Sequence, residues 1–286
     1  IVGGGPAGLE AARVSAERGH AVILFEREAK LGGQINIAAK AGWREALSGI
    51  PRWLSSQVGK LGVDIRLNTE ATAETVLAEN PDIVILATGG APNPGFVEGV
   101  ELAVTTAAVL RDGLELAGSV LLYDGMGQHN GASCAEYLAR RGALVEMITP
   151  DRMASEEVGT TNQPVHLREL YKLGVIMTPN LDLLEIRRED NRLVAVLRNT
   201  MSLAEEERIV DHVVTDFGTL PNDVIYRGLK ERSSNHGQID VRALIAGERQ
   251  PHLGETGFAL YRIGDAAAGR NIHAAIYDAL RLCKDF

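Results

Sequence analysis

The sequence opens with the stretch Ile1-Val2-Gly3-Gly4-Gly5-Pro6-Ala7-Gly8-Leu9-Glu10, which decides the fold of the first part of the chain. Two apolar residues lead into a glycine-rich turn, and helix-forming residues follow as far as Gly19. Gly3 allows a tight turn, Gly5 lets the backbone approach a pyrophosphate, and Gly8 lets the helix pack closely on the preceding strand. This spacing predicts a strand, a phosphate-binding turn and a helix, in that order.

The segment after the first helix supplies the other half of a nucleotide site. Residues 21–25 form an apolar run that predicts a buried strand, and Glu26 follows it directly. A carboxylate about 20 residues beyond such a turn can accept hydrogen bonds from both hydroxyls of an adenosine ribose. An incidental turn would explain the glycines by themselves. The strand, the helix and the acid together favour dinucleotide binding.

The same plan recurs later in the chain. The second copy comprises a strand, a glycine-rich loop, a helix and a strand, at residues 119–123, 124–131, 132–141 and 144–148. An internal duplication of this kind predicts an α/β fold with two Rossmann-type nucleotide-binding domains.

A strand and a helix are left over after the second copy, at residues 258–263 and 271–282. We expect them to rejoin the first domain, so that the second domain is inserted into the first. The predicted boundaries are 1–104 plus 224–286 for the first domain and 105–223 for the insertion.

The composition excludes several other classes of protein. The 286 residues suffice for one large or two ordinary domains, and 29 Lys and Arg against 38 Asp and Glu give a net charge of −9, which argues against a nucleic-acid partner. The longest apolar runs are too short to cross a bilayer, so we expect no membrane segment. Cys134 and Cys283 are the only cysteines. They are too few for a zinc or iron–sulfur site, so no metal site is expected, and they fit a cytoplasmic location.

Three further motifs point to a known family. The first is Glu26-Arg27-x-x-x-Leu31-Gly32-Gly33-Gln34. The second runs from Trp53-Leu54 through Leu61-Gly62-Val63-x-Ile65-x-Leu67-Asn68-Thr69 and ends in Ala87-Thr88-Gly89. The third is Ile263-Gly264-Asp265-Ala266, before the last helix. The chain resembles the C-terminal half of the flavoenzyme family that contains 2,4-dienoyl-CoA reductase and trimethylamine dehydrogenase. That resemblance implies two glutathione-reductase-like domains, which bind FAD or have ADP in its place. It also implies an N-terminal (β/α)8 barrel with FMN and a 4Fe-4S cluster, both outside this chain.

The resemblance further implies roles for single residues along the dinucleotide. The pyrophosphate would lie between two segments: Gly3, Gly5, Pro6, Ala7 and Gly8 under it, and Thr88 and Gly89 over it. Glu26 and Arg27 would lie at the adenosine end, and Gly33 and Gln34 would line the far side of the dinucleotide. Asp265 would bond a ribityl hydroxyl of FAD, and the alternative for Asp265 is an N-cap of the following helix. No residue of this chain is expected to be catalytic.

The second glycine loop departs from the dinucleotide pattern. Its glycines are spaced Gly125-x-Gly127-x-x-x-Gly131, one residue longer than the fingerprint, and Thr149 stands where an NAD site needs a carboxylate. Arg152 could meet an NADP phosphate, although a lone arginine is more often solvated. NAD(P)H binding by the insertion therefore stays open and is not favoured. The loop resembles that of the amine dehydrogenases, which pass electrons to an electron-transfer flavoprotein.

Isolated polar and aromatic residues carry weaker indications. His129 and His273 stand near predicted helix starts, where a surface or capping role is expected rather than acid–base chemistry. Trp43 and Trp53 are expected to be packing residues, and Cys134 is expected to be buried among apolar groups.

Three functions follow as hypotheses. The first is the dinucleotide-binding portion of an amine dehydrogenase or N-demethylase, which works with its own N-terminal barrel or a separate barrel subunit. The second is an NAD(P)H-dependent FAD reductase similar to 2,4-dienoyl-CoA reductase. The third is a non-redox module in which ADP only supports assembly. Since no Met begins the chain and only two residues precede Gly3, we expect a longer protein.

Overall fold

The computed structural model describes residues 1–251, 257–284 and 286. The α-helices are α1 (Pro6–Glu17), α2 (Ile35–Ala38), α3 (Gly49–Lys60), α4 (Ala73–Ala78), α5 (Thr106–Asp112), α6 (His129–Ala139), α7 (Gln163–Lys172), α8 (Val224–Leu229), α9 (Val241–Ala246) and α10 (Ile272–Cys283). The strands are β1 (Ile23–Phe25), β2 (Asp64–Arg66), β3 (Ile83–Leu86), β4 (Gly90–Pro92), β5 (Val104–Thr105), β6 (Ser119–Asp124), β7 (Leu144–Ile148), β8 (Ile176–Thr178), β9 (Leu181–Glu189), β10 (Arg192–Asn199), β11 (Glu205–Val210), β12 (His212–Asp216), β13 (Thr219–Pro221) and β14 (Ala259–Arg262).

The chain divides into two compact units. The first comprises residues 1–36, 47–91 and 219–286, and the second comprises 37–46 and 92–218. The domain boundaries inferred from the sequence, 1–104 plus 224–286 and 105–223, remain a prediction. No pattern in the sequence predicts that residues 37–46 belong to the second unit. One contact that joins this segment to the second unit is made by Lys40. Its ammonium donates hydrogen bonds to the carbonyl oxygens of Leu110 and Arg111, at 2.8 Å each.

The first unit is built on a parallel sheet. Strand β1 pairs with β2 and strand β3 pairs with β14, both in parallel. Val2 forms parallel bridges to Phe25 of β1 and to Leu86 of β3, so the first residues of the chain join the two pairs. Because the strands are parallel, their carboxyl ends meet at one edge, and the turn after Val2 lies at that edge.

Helices cover the sheet of the first unit. Helices α1 and α10 bury Ala11, Val14 and Ala279 against Ile85 of β3 and Tyr261 of β14. A further apolar cluster contains Phe25, Val84, Leu86, Leu229 and Leu260. This two-sided burial is the expected arrangement for a parallel sheet.

The second unit has its own parallel sheet, in the order β5-β12-β6-β7-β8, and an antiparallel meander, β9-β10-β11. The strands predicted at 119–123 and 144–148 occur as β6 and β7, and the predicted helix over 132–141 begins three residues earlier, at His129. Cys134 is fully buried in the apolar core, as predicted. Within the described residues, no helix is long and apolar enough to cross a membrane.

Candidate nucleotide-binding site

Two glycines of the first loop are required by the protein itself. Gly3 has a φ of +103°, and a Cβ there would lie 2.3 Å from the carbonyl oxygen of Ala87. A Cβ on Gly8 would lie 1.8 Å from the carbonyl oxygen of Gly3. Both distances are far below any contact that real side chains make, so the chain turns at Gly3 and α1 packs onto the turn at Gly8.

Gly5 has no such structural requirement. Its φ is −75°, which any residue adopts, and the nearest atom to a Cβ there would be the Cα of Gly33, at 4.0 Å. Gly5 is also the N-cap of α1 and offers no side chain to the free N–H groups of the first turn, while Pro6 at the first helical position has no N–H. The space over Gly5 and the unpartnered helix start fit the pyrophosphate of a dinucleotide.

Glu26 supports the loop directly. Its carboxylate is nearly buried, with 7% exposed, and its Oε2 accepts the N–H of Gly4 at 2.7 Å while Oε1 accepts the N–H of Glu28 at 2.8 Å. A carboxylate offers about four acceptor positions, so two remain for ribose hydroxyls. The hydrogen bond from the Gly4 N–H to Glu26 was not predicted from the sequence. Arg27 is turned to solvent and pairs with Glu28 at 3.4 Å.

The loop around Gly33 closes onto the glycine turn. Gly33 has a φ of +53°, and a Cβ on it would lie 3.0 Å from the Cα of Gly5. The N–H of Gly32 donates to the carbonyl oxygen of Gly4 at 2.8 Å. Gln34 is exposed, and its amide donates to the carbonyl oxygen of Gly90 at 3.4 Å.

Thr88 and Gly89 follow β3 at the same edge of the sheet. The Thr88 hydroxyl donates to the carbonyl oxygen of Asn222 at 2.7 Å, and the N–H of Asn222 donates to the carbonyl oxygen of Gly89 at 3.0 Å. Asn222 therefore anchors this segment, although sequence analysis did not place it in the site.

Asp265 lies in a 3₁₀ helix, Gly264–Ala266, that packs against the first loop. A Cβ on Gly264 would lie 3.0 Å from the Cβ of Ala7. The N-cap alternative for Asp265 is wrong, because Asn271 caps α10 by accepting the N–H of Ala274 at 2.8 Å. Burial raises the pKa of Asp265, whose Oδ1 accepts the N–H of Arg270 at 3.2 Å.

Asp278 is a support that no pattern in the sequence indicates. Its Oδ2 accepts the N–H of Gly264 at 3.1 Å and also pairs with the guanidinium of Arg270. One carboxylate of α10 thus holds both ends of the turn that carries Asp265.

The second glycine loop, in the other unit, is bonded to its own carboxylate. The N–H of Gly127 donates to Oδ1 of the fully buried Asp124 at 3.0 Å. The carbonyl oxygen of Gly127 accepts the N–H of Glu157 at 3.0 Å, and a Cβ on Gly127 would lie 2.5 Å from the Asp151 carboxylate. An acidic side chain therefore occupies the amide that a pyrophosphate would use in a dinucleotide site.

Asp124 has a second buried carboxyl as its neighbour. Asp124 ends β6 in register with Asp216 at the end of β12, and each keeps a buried Oδ2 with no hydrogen-bond partner among the described residues. Burial, and then the charge of Asp216, raise the pKa of Asp124 to about 7. Thr149 is fully buried, and Arg152 is solvated and paired with Glu156 at 2.9 Å.

The raised pKa of Asp124 predicts a pH-dependent stability. In the unfolded chain the pKa of the Asp124 carboxyl stays near 3.8, so the folded state binds the Asp124 proton more tightly. As pH rises from about 4 to 7, Asp124 therefore lowers the free energy of unfolding increasingly. We expect Asp124→Asn to be more stable than the wild type at pH 8 and equally stable at pH 4, in denaturant unfolding at each pH. Comparing the two proteins cancels the titration of groups that do not interact with Asp124, and the neighbouring Asp216 contributes to the difference. An equal difference at both pH values would contradict the assignment.

Two sequence expectations for isolated residues are corrected. His129 is not a surface residue, because its ring is half-buried and its Nδ1 lies 2.9 Å from Nε2 of His166. Trp53 is 55% exposed and therefore not a core packing residue. The ring of Trp43 makes an edge-on contact with His166, at 5.0 Å between centroids.

The comparisons with known proteins agree on one family. The sequence model of the pyridine nucleotide-disulphide oxidoreductases matches residues 1–279. N,N-dimethylglycine/sarcosine dehydrogenase of Chromohalobacter salexigens is 47% identical over 100% of this chain and 43% of its own length. A probable N-methylproline demethylase of Rhizobium meliloti is 44% identical over 100% of this chain and 42% of that protein. A solved complex of 2-naphthoyl-CoA reductase matches with a TM-score of 0.82 and 27% identity, over 100% of this chain and 39% of that one.

The chain spans less than half the length of these relatives. The matches confirm the resemblance derived from the motifs and the predicted α/β fold with Rossmann-type domains. The chain belongs to the pyridine nucleotide-disulphide oxidoreductases, a family of redox enzymes.

Proposed function

We propose that this chain is the dinucleotide-binding portion of a flavin-dependent amine dehydrogenase or N-demethylase. Its glycine loop, Gly3 to Gly8, holds FAD, or ADP in its place, and its partner is an N-terminal (β/α)8 barrel or a separate barrel subunit. The barrel carries FMN, a 4Fe-4S cluster and the substrate site. The relatives support this division, since they are more than twice as long as the chain and two of them are named for oxidising N-methylated amino acids or removing their methyl groups.

The observation that carries the proposal is the open space at Gly5. The protein imposes glycine at Gly3 and Gly8 by steric contact, whereas at Gly5 no protein atom lies closer than 4.0 Å to a Cβ position. Because Gly5 caps a helix start that follows Val2 of the parallel sheet, a ligand that needs close approach to the backbone explains the empty space over it.

The residues around that space define the rest of the ligand site. Glu26 accepts the ribose hydroxyls, Gly33 and Gln34 line the far side, and Thr88 and Gly89 lie over the pyrophosphate. FAD, when bound, accepts and passes on electrons. The contribution of this chain is to bind and orient it, with Asp265 accepting a hydrogen bond from the ribityl chain.

The NAD(P)H-dependent reductase is the alternative within the same family. It requires a nicotinamide nucleotide in the second unit, where the Gly127 amide already bonds Asp124 and further acids surround the loop. This arrangement favours electron exit to a protein such as an electron-transfer flavoprotein. In the third hypothesis, a non-redox module, ADP would occupy the same loop without a flavin.

The visible spectrum of the purified chain, with and without NADH, separates the NAD(P)H-dependent reductase from the other two hypotheses. We expect the chain to retain FAD after gel filtration, with flavin bands that dithionite bleaches and NADH does not bleach. We also expect no turnover of sarcosine or dimethylamine by this chain alone, because the substrate site lies in the barrel.

The other outcomes are equally informative. Rapid bleaching by NADH would replace the proposal with the reductase. Retention of ADP without any flavin would exclude FAD and leave the dehydrogenase portion with ADP in its place, or the assembly module. Failure to bind either nucleotide would contradict all three.

A further inference from the structure

Arg44 is a buried cation without a counter-ion. It lies in the 3₁₀ helix Gly42–Ser48 of the second unit and is 8% exposed. Its hydrogen bond is a long one, from Nη1 to the Ser133 hydroxyl at 3.4 Å. Burial lowers the pKa of Arg44, and no carboxylate raises it. A buried guanidinium with most of its donors unused is costly, and proteins normally pair it.

The nearby acid does not serve as that partner. Glu136, one turn after Ser133 on α6, bonds the Nε of Arg140 at 2.8 Å through its Oε1. Across residues 1–251, 257–284 and 286, no carboxylate oxygen lies within 4 Å of the Arg44 guanidinium. Arg44 therefore forms no ion pair among the described residues, and the buried Oε2 of Glu136, close to Gly42, also has no hydrogen-bond partner there.

Two histidines lie in the same electrostatic environment. His129 and His166 share a hydrogen bond of 2.9 Å, and the ring of His166 is 1% exposed with a buried Nδ1 that has no partner among the described residues. Burial, and then the charge of Arg44, lower the pKa of His129 to about 4. Burial, and then the charges of His129 and Arg44, lower the pKa of His166 to about 3. Both rings are neutral at pH 7, and since one N–H is used in their mutual hydrogen bond, the pair has one N–H left for an acceptor.

The start of α6 adds donors at the same place. His129 is the first residue of this helix of 11 residues, and its N-cap, Gln128, makes no side-chain capping bond. The first N–H groups of such a helix, and its dipole, favour an anion.

We infer that Arg44, Ser133, His129 and His166, here called the Arg44 cluster, bind a phosphate group. Guanidinium and imidazole donors around an uncapped helix start match a compact dianion with several acceptor oxygens. Arg44 supplies the charge, and the histidine pair supplies one directional N–H donor. The ligand is a single phosphate, because Asp124 already occupies the Gly127 amide that a dinucleotide pyrophosphate would need.

Trp43 provides a direct optical probe. It is one of two tryptophans in the chain, and its ring contacts His166. In a Trp53→Phe background, we expect inorganic phosphate to change the Trp43 emission saturably, with a Kd below about 1 mM, while chloride at equal ionic strength does not. A hundredfold excess over Kd should raise Tm by about 5 °C.

Arg44→Gln should abolish both responses. It should leave Tm without phosphate unchanged or higher, because it removes a buried unpaired charge. Arg168→Gln, which removes a solvated arginine two residues from His166, is the matched control and should respond like the wild type.

NADPH and NADH distinguish the source: displacement of phosphate by NADPH alone indicates a nucleotide phosphomonoester, and displacement by neither indicates the free ion.

The opposite results would overturn the assignment. Equal phosphate responses in Arg44→Gln and the wild type, or no saturable response in the wild type, would show that Arg44 is only a packing residue. If Arg44→Gln does not fold, His166→Asn replaces it, with the same expectation of a lost phosphate response. The nucleotide at the first loop is measured separately by its absorbance, so this test does not depend on it.

Discussion

Gly5→Val is expected to abolish nucleotide binding while leaving the fold intact. The Cβ of a side chain there meets no protein atom closer than the Cα of Gly33, at 4.0 Å, and the φ of −75° is allowed for valine, so we expect the unliganded chain to fold with little change in Tm. The same side chain fills the space that a pyrophosphate needs. Losing two amide-to-phosphate hydrogen bonds of about 1.5 kcal/mol each corresponds to roughly 100-fold weaker binding of FAD and ADP.

Gly8→Val and Gly59→Val are the matched comparisons. Gly8→Val forces a Cβ to within 1.8 Å of the Gly3 carbonyl oxygen, so it should lower Tm whether or not a ligand is bound. Gly59 lies in α3 with no atom within 4 Å of its Cβ position, so Gly59→Val should leave nucleotide affinity unchanged. If Gly5→Val bound FAD or ADP as well as the wild type does, the pyrophosphate would not lie over Gly5.

Replacing Glu26 should reduce affinity for both FAD and ADP by tenfold or more, because a hydrogen bond to a charged group contributes about 1.5–3 kcal/mol. Glu26→Ala should also lower stability, since it leaves the buried N–H of Gly4 without its acceptor. Glu26→Gln keeps one carbonyl acceptor and removes the charge, so its loss of stability should be smaller. Calorimetric titration and thermal unfolding measure the two effects separately.

The ribose contact can be separated from the support of the loop by changing the ligand. If Glu26 accepts the 2′-hydroxyl, the wild type should prefer ADP to 2′-deoxy-ADP, and Glu26→Gln should lose most of that preference. An equal preference in both proteins would leave Glu26 with its structural role only.

The parts of the site that sequence predicted are those set by local spacing. Gly3, Gly8 and Glu26 belong to one strand–turn–helix–strand segment, and the steric reasons for the two glycines follow from that connection. The start of α10 was also available from local pattern, because Asn271 is a favoured N-cap residue. Its capping bond removes the alternative for Asp265.

The parts that sequence did not predict depend on contacts between distant segments. Arg44 meets Ser133, and His129 meets His166, only because residues 37–46 and α7 pack against α6. Hydrophobic periodicity identifies these helices but not which polar groups they bring together. The sequence shows that Asp124 stands directly before the second glycine loop. The spacing of the glycines does not predict that its carboxylate accepts the N–H of Gly127 in that loop.

We expect the chain to bind its nucleotide at the loop of the first unit and not at the loop of the second. Calorimetric titration of the chain, after removal of bound FAD, with ADP and then with NADH tests it most directly. We predict one equivalent of ADP, lost in Gly5→Val and retained in Gly127→Val, and NADH binding weaker than the usual micromolar range. A low-micromolar Kd for NADH that Gly127→Val abolishes and Gly5→Val leaves unchanged would contradict this expectation.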